Sequence, residues 1–352
     1  MKVLVTAGGT GGHIMPAVAI AEAVRSLSPG AEILFVGTDR GMEERIARLN
    51  GLDFVALPAL GIKGKSASHL ARALLVNTRA FARALGIVRG FAPDWVIGTG
   101  GYVTGMVVLA GRVLGCTCAI QEQNAVPGLT NRLLGRIVHR VYLSFPDTTG
   151  RFDPSRARLT GNPLRRALVQ ARRDAKPGYL LVLGGSLGAS SINRAAVGAL
   201  KVLRDRGIAP EVVHQCGSVD CQWVSDEYRG SGIRAQVHAF IDDMASVYAG
   251  AALAVSRCGG ITLAELSALG LPSIMIPFPH ASDDHQSANG RYVAERGGGW
   301  LIAERELTAE RLASEIQARL TDTRGLETAS ENMRGIGLGA GARIIAEEIA
   351  GV

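Results

Sequence analysis

One local pattern at the amino terminus returns halfway along the chain, and that echo constrains the fold more tightly than any other feature. Lys2-Val3-Leu4-Val5-Thr6-Ala7 is a short apolar run, the glycine-rich Gly8-Gly9-Thr10-Gly11-Gly12-His13 follows it, and a helical pattern runs from about Met15 to Leu27 with Pro16 in its first turn. Tyr179-Leu180-Leu181-Val182-Leu183, then Gly184-Gly185-Ser186-Leu187-Gly188, then a helical stretch from Asn193 to Arg204 repeat it. A buried strand feeding a helix through a glycine turn is the first unit of a doubly wound sheet, so two such openings predict two Rossmann-like α/β domains.

The 352 residues suit that number, because single domains usually run to about 100–200 residues. Further apolar runs at Glu32–Val36, Trp95–Ile97, Cys118–Gln121 and Arg140–Leu143 alternate with helical patterns in the first half. Val212–His214, Ala252–Ser256 and Pro272–Ile276 do so in the second. The turn residues Thr160-Gly161-Asn162-Pro163 mark the expected linker, giving domains over 1–161 and 162–341, with a last helix over about 342–352 that returns to the first. The five cysteines (Cys116, Cys118, Cys216, Cys221, Cys258) are odd in number and include no C-x-x-C pair, which suits reduced thiols and neither a disulfide framework nor a zinc site. Gly8 and Gly9 cut the apolar start short of a signal peptide, and no uninterrupted apolar stretch approaches the roughly 18–20 residues of a spanning helix. Any membrane contact is therefore expected to be peripheral.

Charge is unevenly placed. Residues 54–146 carry ten basic side chains (Lys63, Lys65, Arg72, Arg79, Arg83, Arg89, Arg112, Arg132, Arg136, Arg140) against Asp94 and Glu122, a local excess of eight in a chain whose whole net charge is +7. Such a segment is either a solvated face or the footprint of an anionic partner: nucleic acid, anionic lipid or a phosphorylated substrate.

A glycine turn at a helix N-terminus binds phosphate through N–H groups and the positive end of the helix dipole, so only spacing separates the classes that use one. The dinucleotide fingerprint beginning at Gly9 needs a third glycine where Ile14 stands, and the second loop has Ser186 at its middle glycine position. A P-loop ending in Gly64-Lys65-Ser66 would need a glycine where Ala59 stands. NAD, FAD and ATP chemistries are thereby disfavoured. One phosphate loop per half, facing each other across an interdomain cleft, is the arrangement of the GT-B glycosyltransferases.

Read in order along the chain, several segments make that resemblance specific. They are Gly8–His13, Gly100-Gly101-Tyr102-Val103, Glu122-Gln123-Asn124, Gly128-Leu129-Thr130-Asn131, Gly161-Asn162-Pro163-Leu164-Arg165, Gly184–Gly188, Phe240-Ile241-Asp242-Asp243-Met244, Ser256-Arg257, Thr262 with Glu265, and Asp284-His285-Gln286 with Asn289. The chain resembles the GT-B family that moves N-acetylglucosamine from UDP-N-acetylglucosamine onto undecaprenyl-pyrophosphoryl-MurNAc-pentapeptide in peptidoglycan synthesis. Gln121 where many relatives have histidine, Leu187 where many have glutamine, and Cys258-Gly259-Gly260 depart from the usual pattern.

The resemblance implies roles. His13, on the first glycine loop, is the candidate base for the acceptor hydroxyl; it either takes the proton or only positions the acceptor. No Asp-x-Asp occurs, so the departing diphosphate is expected to be neutralised by protein groups with no metal and no cofactor. Arg165, Ser186 and the N–H groups after Gly185 are candidates, although either side chain alone reads as a linker arginine or a helix cap. Thr10, Gly11 and Gly12 lie beside the donor in the first half, with Asn124. Phe240 lies against the uracil, the Ile241 backbone pairs with its edge, Gly260, Ile261, Thr262, Leu263, Ala264 and Glu265 hold ribose and phosphate, and Gln286 and Asn289 meet the sugar. On the acceptor side, Lys63, Lys65 and Tyr102 are candidates for the lipid-linked substrate.

Between Leu70 and Val88 the sequence is amphipathic at helical phase, with Leu70, Leu74, Phe81, Leu85 and Val88 on one side and Arg72, Arg79 and Arg83 opposite. Two readings stand: a helix on an anionic membrane surface, or one burying its apolar stripe in its own domain. By resemblance the protein is expected at the cytoplasmic side of the inner membrane. The competing functions are another UDP-sugar-dependent enzyme of the same fold, a glycolipid synthase or a UDP-sugar epimerase, and a basic nucleic-acid binder, which the scarcity of aromatic platforms disfavours.

Overall fold

Parallel pairing dominates throughout the computed structural model, which describes residues 1–352 apart from 40, 60–66, 175–177 and 186–187, and only the backbone over 67–75. The chain divides into two compact units, Met1–Arg166 with Gly339–Val352, and Ala167–Leu338. In the first, strands β1 (Lys2–Ala7), β2 (Glu32–Gly37), β3 (Asp53–Ala56), β4 (Trp95–Gly100), β5 (Thr117–Glu122), β6 (Arg140–Leu143) and β7 (Ala157–Leu159) form one parallel sheet ordered β3-β2-β1-β4-β5-β6-β7. Helices α1 (Gly11–Leu27), α2 (Glu43–Leu49), α3 (Ala67–Phe91), α4 (Tyr102–Val113) and α5 (Leu129–Leu134) connect them. Strand order reverses between β1 and β4, and in such sheets ligands bind beyond the carboxyl ends of the strands at that switch point.

Alternation explains how one strand serves two layers. Val3 and Val5 of β1 pack with Ile14 and Val18 of α1, whereas Leu4 packs on the other side with Ala80, Ala84 and Val88 of α3 and Val103 and Val107 of α4. α1 starts at Gly11, four residues before the sequence-based start at Met15, because the Thr10 carbonyl already accepts from the His13 and Ile14 amides at 3.0 and 3.2 Å. Pro16 consequently lies inside the helix.

After α6 (Arg166–Gln170), the second unit contains β8 (Tyr179–Leu183), α7 (Ser190–Asp205), β9 (Glu211–Gln215), α8 (Cys221–Gly230), β10 (Ala235–His238), α9 (Met244–Gly250), β11 (Ala251–Ser256), α10 (Gly260–Leu269), β12 (Ser273–Met275), α11 (His285–Ala294), β13 (Gly299–Leu301), α12 (Ala309–Thr321) and α13 (Thr323–Gly335). Its parallel sheet is ordered β10-β9-β8-β11-β12-β13 and repeats the switch point, here between β8 and β11. The final helix, α14 (Gly341–Ala350), belongs to the first unit, where Ile345, Ala346 and Ile349 join the core beside α1. Glu348 accepts from Arg140 at 2.6 Å and Arg158 at 2.9 Å, tying α14 to β6 and β7.

Behind the second glycine loop sits a buried polar cluster. Asn193 donates through Nδ2 to the Cys216 carbonyl and Asp220, so its Oδ1, 3.1 Å from His214 Nε2, must accept. Nε2 therefore carries the His214 proton, and Nδ1 accepts from the Tyr228 hydroxyl at 2.8 Å. Burial pushes this imidazole down from the ordinary 6.5 to about 3, against a smaller opposite pull from Asp220. The unfolded imidazole takes a proton below about 6.5 while the folded one stays neutral, so this group's stabilisation is present above pH 6.5 and is lost as pH falls towards 3. The urea midpoint is expected to fall through that window, and His214→Gln should flatten the fall; an unchanged slope in the variant would remove His214 as its source.

Candidate functional site

The first glycine loop is assembled from three directions. The Gly8 amide donates to the Gly100 carbonyl at 3.1 Å, closing the loop after β1 against the end of β4. Gly9, at φ +96°, donates to Glu43 Oε1 at 2.8 Å, and the same oxygen accepts from the Thr38 hydroxyl at 2.8 Å. Glu43 is fully buried at the start of α2. Gly101 adopts φ +90°, ψ 169°, a region open essentially to glycine, and a Cβ there would lie 2.3 Å from the Gly8 carbonyl oxygen.

His13 stands in the first turn of α1, half-buried against the Gly100 backbone; a Cβ on Gly100 would fall 2.5 Å from its Nδ1. Nδ1 lies 3.1 Å from both the Thr99 carbonyl and Gln123 Oε1. A carbonyl only accepts, so Nδ1 carries the proton, and in the neutral ring Nε2 is left with the lone pair. Nε2 makes no hydrogen bond among the described residues. The Thr99 hydroxyl donates to the His13 carbonyl at 2.7 Å, holding the turn from below.

Glu122, buried at the end of β5, does not face an open site. It accepts from the Asn124 amide and side chain at 3.0 and 3.3 Å, from the Gly128 amide at 3.1 Å, and from Asn131 at 2.8 Å. This carboxylate shapes the loop that carries Asn124. Tyr102 opens α4 beside Gly101 and is exposed, and Arg165 keeps a buried Nε with no acceptor among the described residues.

In the second unit, Gln215 at the end of β9 joins two of the expected donor segments. Its Nε2 donates to the Gly185 carbonyl at 3.1 Å, and its Oε1 accepts from the Ile241 amide at 2.9 Å. The Ile241 N–H is thus already engaged, which leaves its carbonyl as the backbone group available to a ligand. Phe240 beside it is 54% exposed, against 8% for Ile241. α10 begins at Gly260 with Gly259 as its N-cap, presenting the positive end of its dipole after β11, and Ile261 and Thr262 lie in its first turn. Leu263 and Ala264 are fully buried, so their side chains belong to the core and only their backbone can serve a ligand. Glu265 Oε2 accepts from the hydroxyl of fully buried Tyr248 at 2.8 Å. Burial first, then the Glu265 charge, raises that hydroxyl well above its ordinary pKa, so it stays a donor.

Gln286 and Asn289 separate in role. The Gln286 oxygen accepts from the Cys258 and Phe278 amides at 3.2 and 3.0 Å, which leaves its Nε2 as the group for a ligand. Asn289 is fully buried and donates to the Cys258 carbonyl at 2.9 Å. Asn289 therefore braces the turn before α10 from within the core. Arg257 was among the matching segments without a role. It donates to the Ile276 and Pro277 carbonyls, pairs with Glu304, reaches Ser191 at 2.9 Å and covers the exposed Phe278 ring at 5.3 Å.

Ser186, Lys63 and Lys65 lie outside the described residues, as do the side chains of Leu70, Arg72 and Leu74. Arg79 and Arg83 are exposed, but Phe81, Leu85 and Val88 pack on the core of their own unit with Ala80 and Ala84. That part of the α3 stripe is therefore inward. One group of exposed aliphatic side chains sits instead on α4 and α5: Leu109 with Val113, Leu129 with Leu133, and Ile137 just beyond. Each helical pair is spaced i, i+4, and that spacing in a segment poor in acids is the signal the sequence offers. Gln215 and Tyr248 carried no such signal, because their partners are distant in sequence. Among the described residues no cluster of three or more His, Cys, Asp or Glu is placed to hold a metal ion, and no helix is long and apolar enough to cross a membrane.

Two doubly wound sheets with glycine loops and helix N-termini at their switch points define the class: the GT-B fold of nucleotide-sugar enzymes. Residues 3–143 match the glycosyltransferase family 28 N-terminal domain, and residues 179–347 its C-terminal domain. The chain is 45% identical over 322 residues to the UDP-N-acetylglucosamine–N-acetylmuramyl-(pentapeptide) pyrophosphoryl-undecaprenol N-acetylglucosamine transferase of Nitratidesulfovibrio vulgaris, spanning 87% of this chain and 84% of that one. It is 43% identical over 321 residues to the transferase of the same name from Myxococcus xanthus, spanning 90% and 84%. The crystal structure of Acinetobacter baumannii MurG aligns with a TM-score of 0.81 at 29% identity, over 100% of this chain and 99% of that one. A UDP-N-acetylglucosamine 2-epimerase aligns at 0.67 with 16% identity over 99% of this chain and 95% of its own, which shows a shared fold alone. The chain belongs to glycosyltransferase family 28 and, within it, to the MurG family.

Proposed function

We propose that this protein transfers N-acetylglucosamine from UDP-N-acetylglucosamine to the MurNAc 4-hydroxyl of undecaprenyl-pyrophosphoryl-MurNAc-pentapeptide, with inversion at the anomeric carbon and no metal. Beyond family membership, the observation that carries this reading is His13, whose Nδ1 is held by two acceptors while Nε2 keeps its lone pair. Nε2 takes the proton of the acceptor hydroxyl as its oxygen bonds the anomeric carbon, and the bond to the UDP oxygen breaks. The first unit thus supplies acceptor activation, and the second, through Phe240, Ile241, Glu265, Gln286 and the N-terminus of α10, supplies donor binding. Arg165, with its unsatisfied buried Nε, is the cation for the developing diphosphate charge.

Purified protein given UDP-N-acetylglucosamine and a soluble lipid-linked MurNAc-pentapeptide analogue should release UDP at the same rate with or without a chelator. No release above background would overturn the transferase reading, and dependence on a divalent ion would overturn its metal-free form. Formation of an isomeric UDP-sugar without acceptor would favour an epimerase instead.

For donor binding, Tyr248→Phe is expected to weaken UDP affinity about three- to tenfold, on the order of 1 kcal/mol, because one oriented donor to Glu265 is lost while Phe fills the same buried volume. Titration calorimetry checks this; unchanged affinity would detach Tyr248 from the ribose site.

The lipid-linked acceptor places the enzyme at a membrane surface. Leu109, Val113, Leu129, Leu133 and Ile137 supply exposed apolar area, and Arg112, Arg132 and Arg136 on the same segments supply positive charge. Co-sedimentation with anionic vesicles that falls with salt and with Leu133→Ser supports this peripheral mode; equal sedimentation with neutral vesicles argues against it.

A further inference from the structure

We propose that Gln123 is a positioning residue that, together with the Thr99 carbonyl, holds the tautomer of His13, and that a buried chain of side-chain amides running back to Asn162 fixes its direction. This rests on the reading of His13 as base. An isolated glutamine can turn its amide either way, offering the imidazole an acceptor or a donor, so a glutamine partner by itself determines nothing. Here the choice is forced. Gln123 Nε2 lies 2.5 Å from the Thr99 carbonyl, 3.1 Å from the Gln121 carbonyl and 2.5 Å from Gln121 Oε1. All three are acceptors, so the opposite orientation would set one oxygen against three others inside the protein. Oε1 must then face His13 Nδ1.

The same logic runs one step further back. Gln121 Nε2 donates to Ser144 Oγ at 2.8 Å, the Glu122 carbonyl at 3.1 Å and Asn162 Oδ1 at 3.2 Å, and Ser144 spends its own proton on the Glu122 carbonyl. That leaves Gln121 Oε1 as the acceptor for Gln123. Asn162 in turn is oriented by its Nδ2, which donates to the Gln123 carbonyl at 3.1 Å. Gln121, Gln123 and Asn162 are all buried, so water does not compete for these bonds. Asn162 lies in the segment leading to the second unit, and its own carbonyl accepts from Gly341 at the start of the returning helix at 3.1 Å. Each amide admits one orientation, and the series ends on a proton at Nδ1 and a lone pair at Nε2.

The test compares His13→Ala, Gln123→Met and Gln123→Glu with the native enzyme, using steady-state rates, a pH–rate profile and ¹⁵N-histidine NMR in which the His13 signals are those missing from His13→Ala. In the native protein neutral His13 should appear as the Nδ1–H form. Gln123→Met keeps volume but removes one of the two acceptors of Nδ1; it should loosen the tautomer preference and lower kcat about tenfold to a hundredfold with little change in KM for the donor. Gln123→Glu restores an acceptor and adds negative charge, so the acid limb of its profile should move to higher pH, an effect that a purely structural role would not produce. A native Nε2–H tautomer, or a Gln123→Met enzyme with unchanged kcat and tautomer, would overturn the proposal. Should Gln123→Met fail to fold, the native tautomer and the Gln123→Glu profile decide alone. An active His13→Ala enzyme would instead sink the base reading itself, and an inactive one beside a normal Gln123→Met enzyme would sink only the positioning role.

Discussion

Replacing His13 with alanine is expected to lower kcat by about 10²–10⁴-fold while leaving UDP-N-acetylglucosamine affinity nearly unchanged, the range usual for loss of a general base. Three features make this the largest single effect in the chain. Nδ1 is held by Thr99 and Gln123, so the ring is fixed before any acceptor arrives. Nε2 then keeps a lone pair able to accept a proton. The residues proposed for uridine, Phe240, Ile241 and Glu265, lie in the second unit, so the substitution leaves them intact. The acid limb of the pH–rate profile should vanish with the imidazole. A loss confined to KM would assign His13 to acceptor binding, and a loss of donor affinity would place it beside the nucleotide.

The second large effect is expected from Gly101→Ala, at about 3–5 kcal/mol of destabilisation together with loss of activity. The backbone at φ +90°, ψ 169° costs a side-chain-bearing residue about 1–3 kcal/mol before any contact is considered. The new Cβ would also lie 2.3 Å from the Gly8 carbonyl oxygen, 2.8 Å from its carbon and 2.9 Å from its Cα, all backbone atoms that no rotamer change can clear. Relief requires shifting Gly8, whose amide bonds Gly100 and whose neighbour Gly9 bonds Glu43, so the first loop opens as a unit. Urea unfolding measures the stability term and UDP release the activity. Gly105→Ala is the control: a Cβ there meets nothing closer than 3.6 Å, the site lies inside α4, and alanine favours helix by about 0.5–1 kcal/mol. Equal behaviour of the two variants would remove the steric argument.

Legibility in the sequence followed the range of the interactions. Where burial runs along consecutive residues, as in Val3-Leu4-Val5 or Leu180-Leu181-Val182-Leu183, the strand and its glycine loop were readable locally. β3, β7, β10 and β13 carry too little local pattern to be read from sequence: each is three or four residues long, and β3, β7 and β10 contain no fully buried position. The α3 stripe was periodic, yet periodicity states only that one face differs from the other; packing of Phe81, Leu85 and Val88 on β-sheet and α4 neighbours decided which way it turns. Asn289 matches the motif by position, and only the fold shows it fully buried and donating to the Cys258 carbonyl in support of the turn before α10.

By itself, the amino-acid sequence determined the two doubly wound domains, their glycine loops, the absence of dinucleotide and P-loop spacing, and a histidine beside the first loop, because each depends on residues a few positions apart. Only the tertiary structure decided which His13 nitrogen is basic. Its partners Thr99 and Gln123 are 86 and 110 residues away, and the groups that orient Gln123 come from the end of β4, from Gln121 and, through it, from Asn162 in the segment between the units. Hydrogen-bond direction is a property of the whole buried set, and no spacing along the chain encodes it.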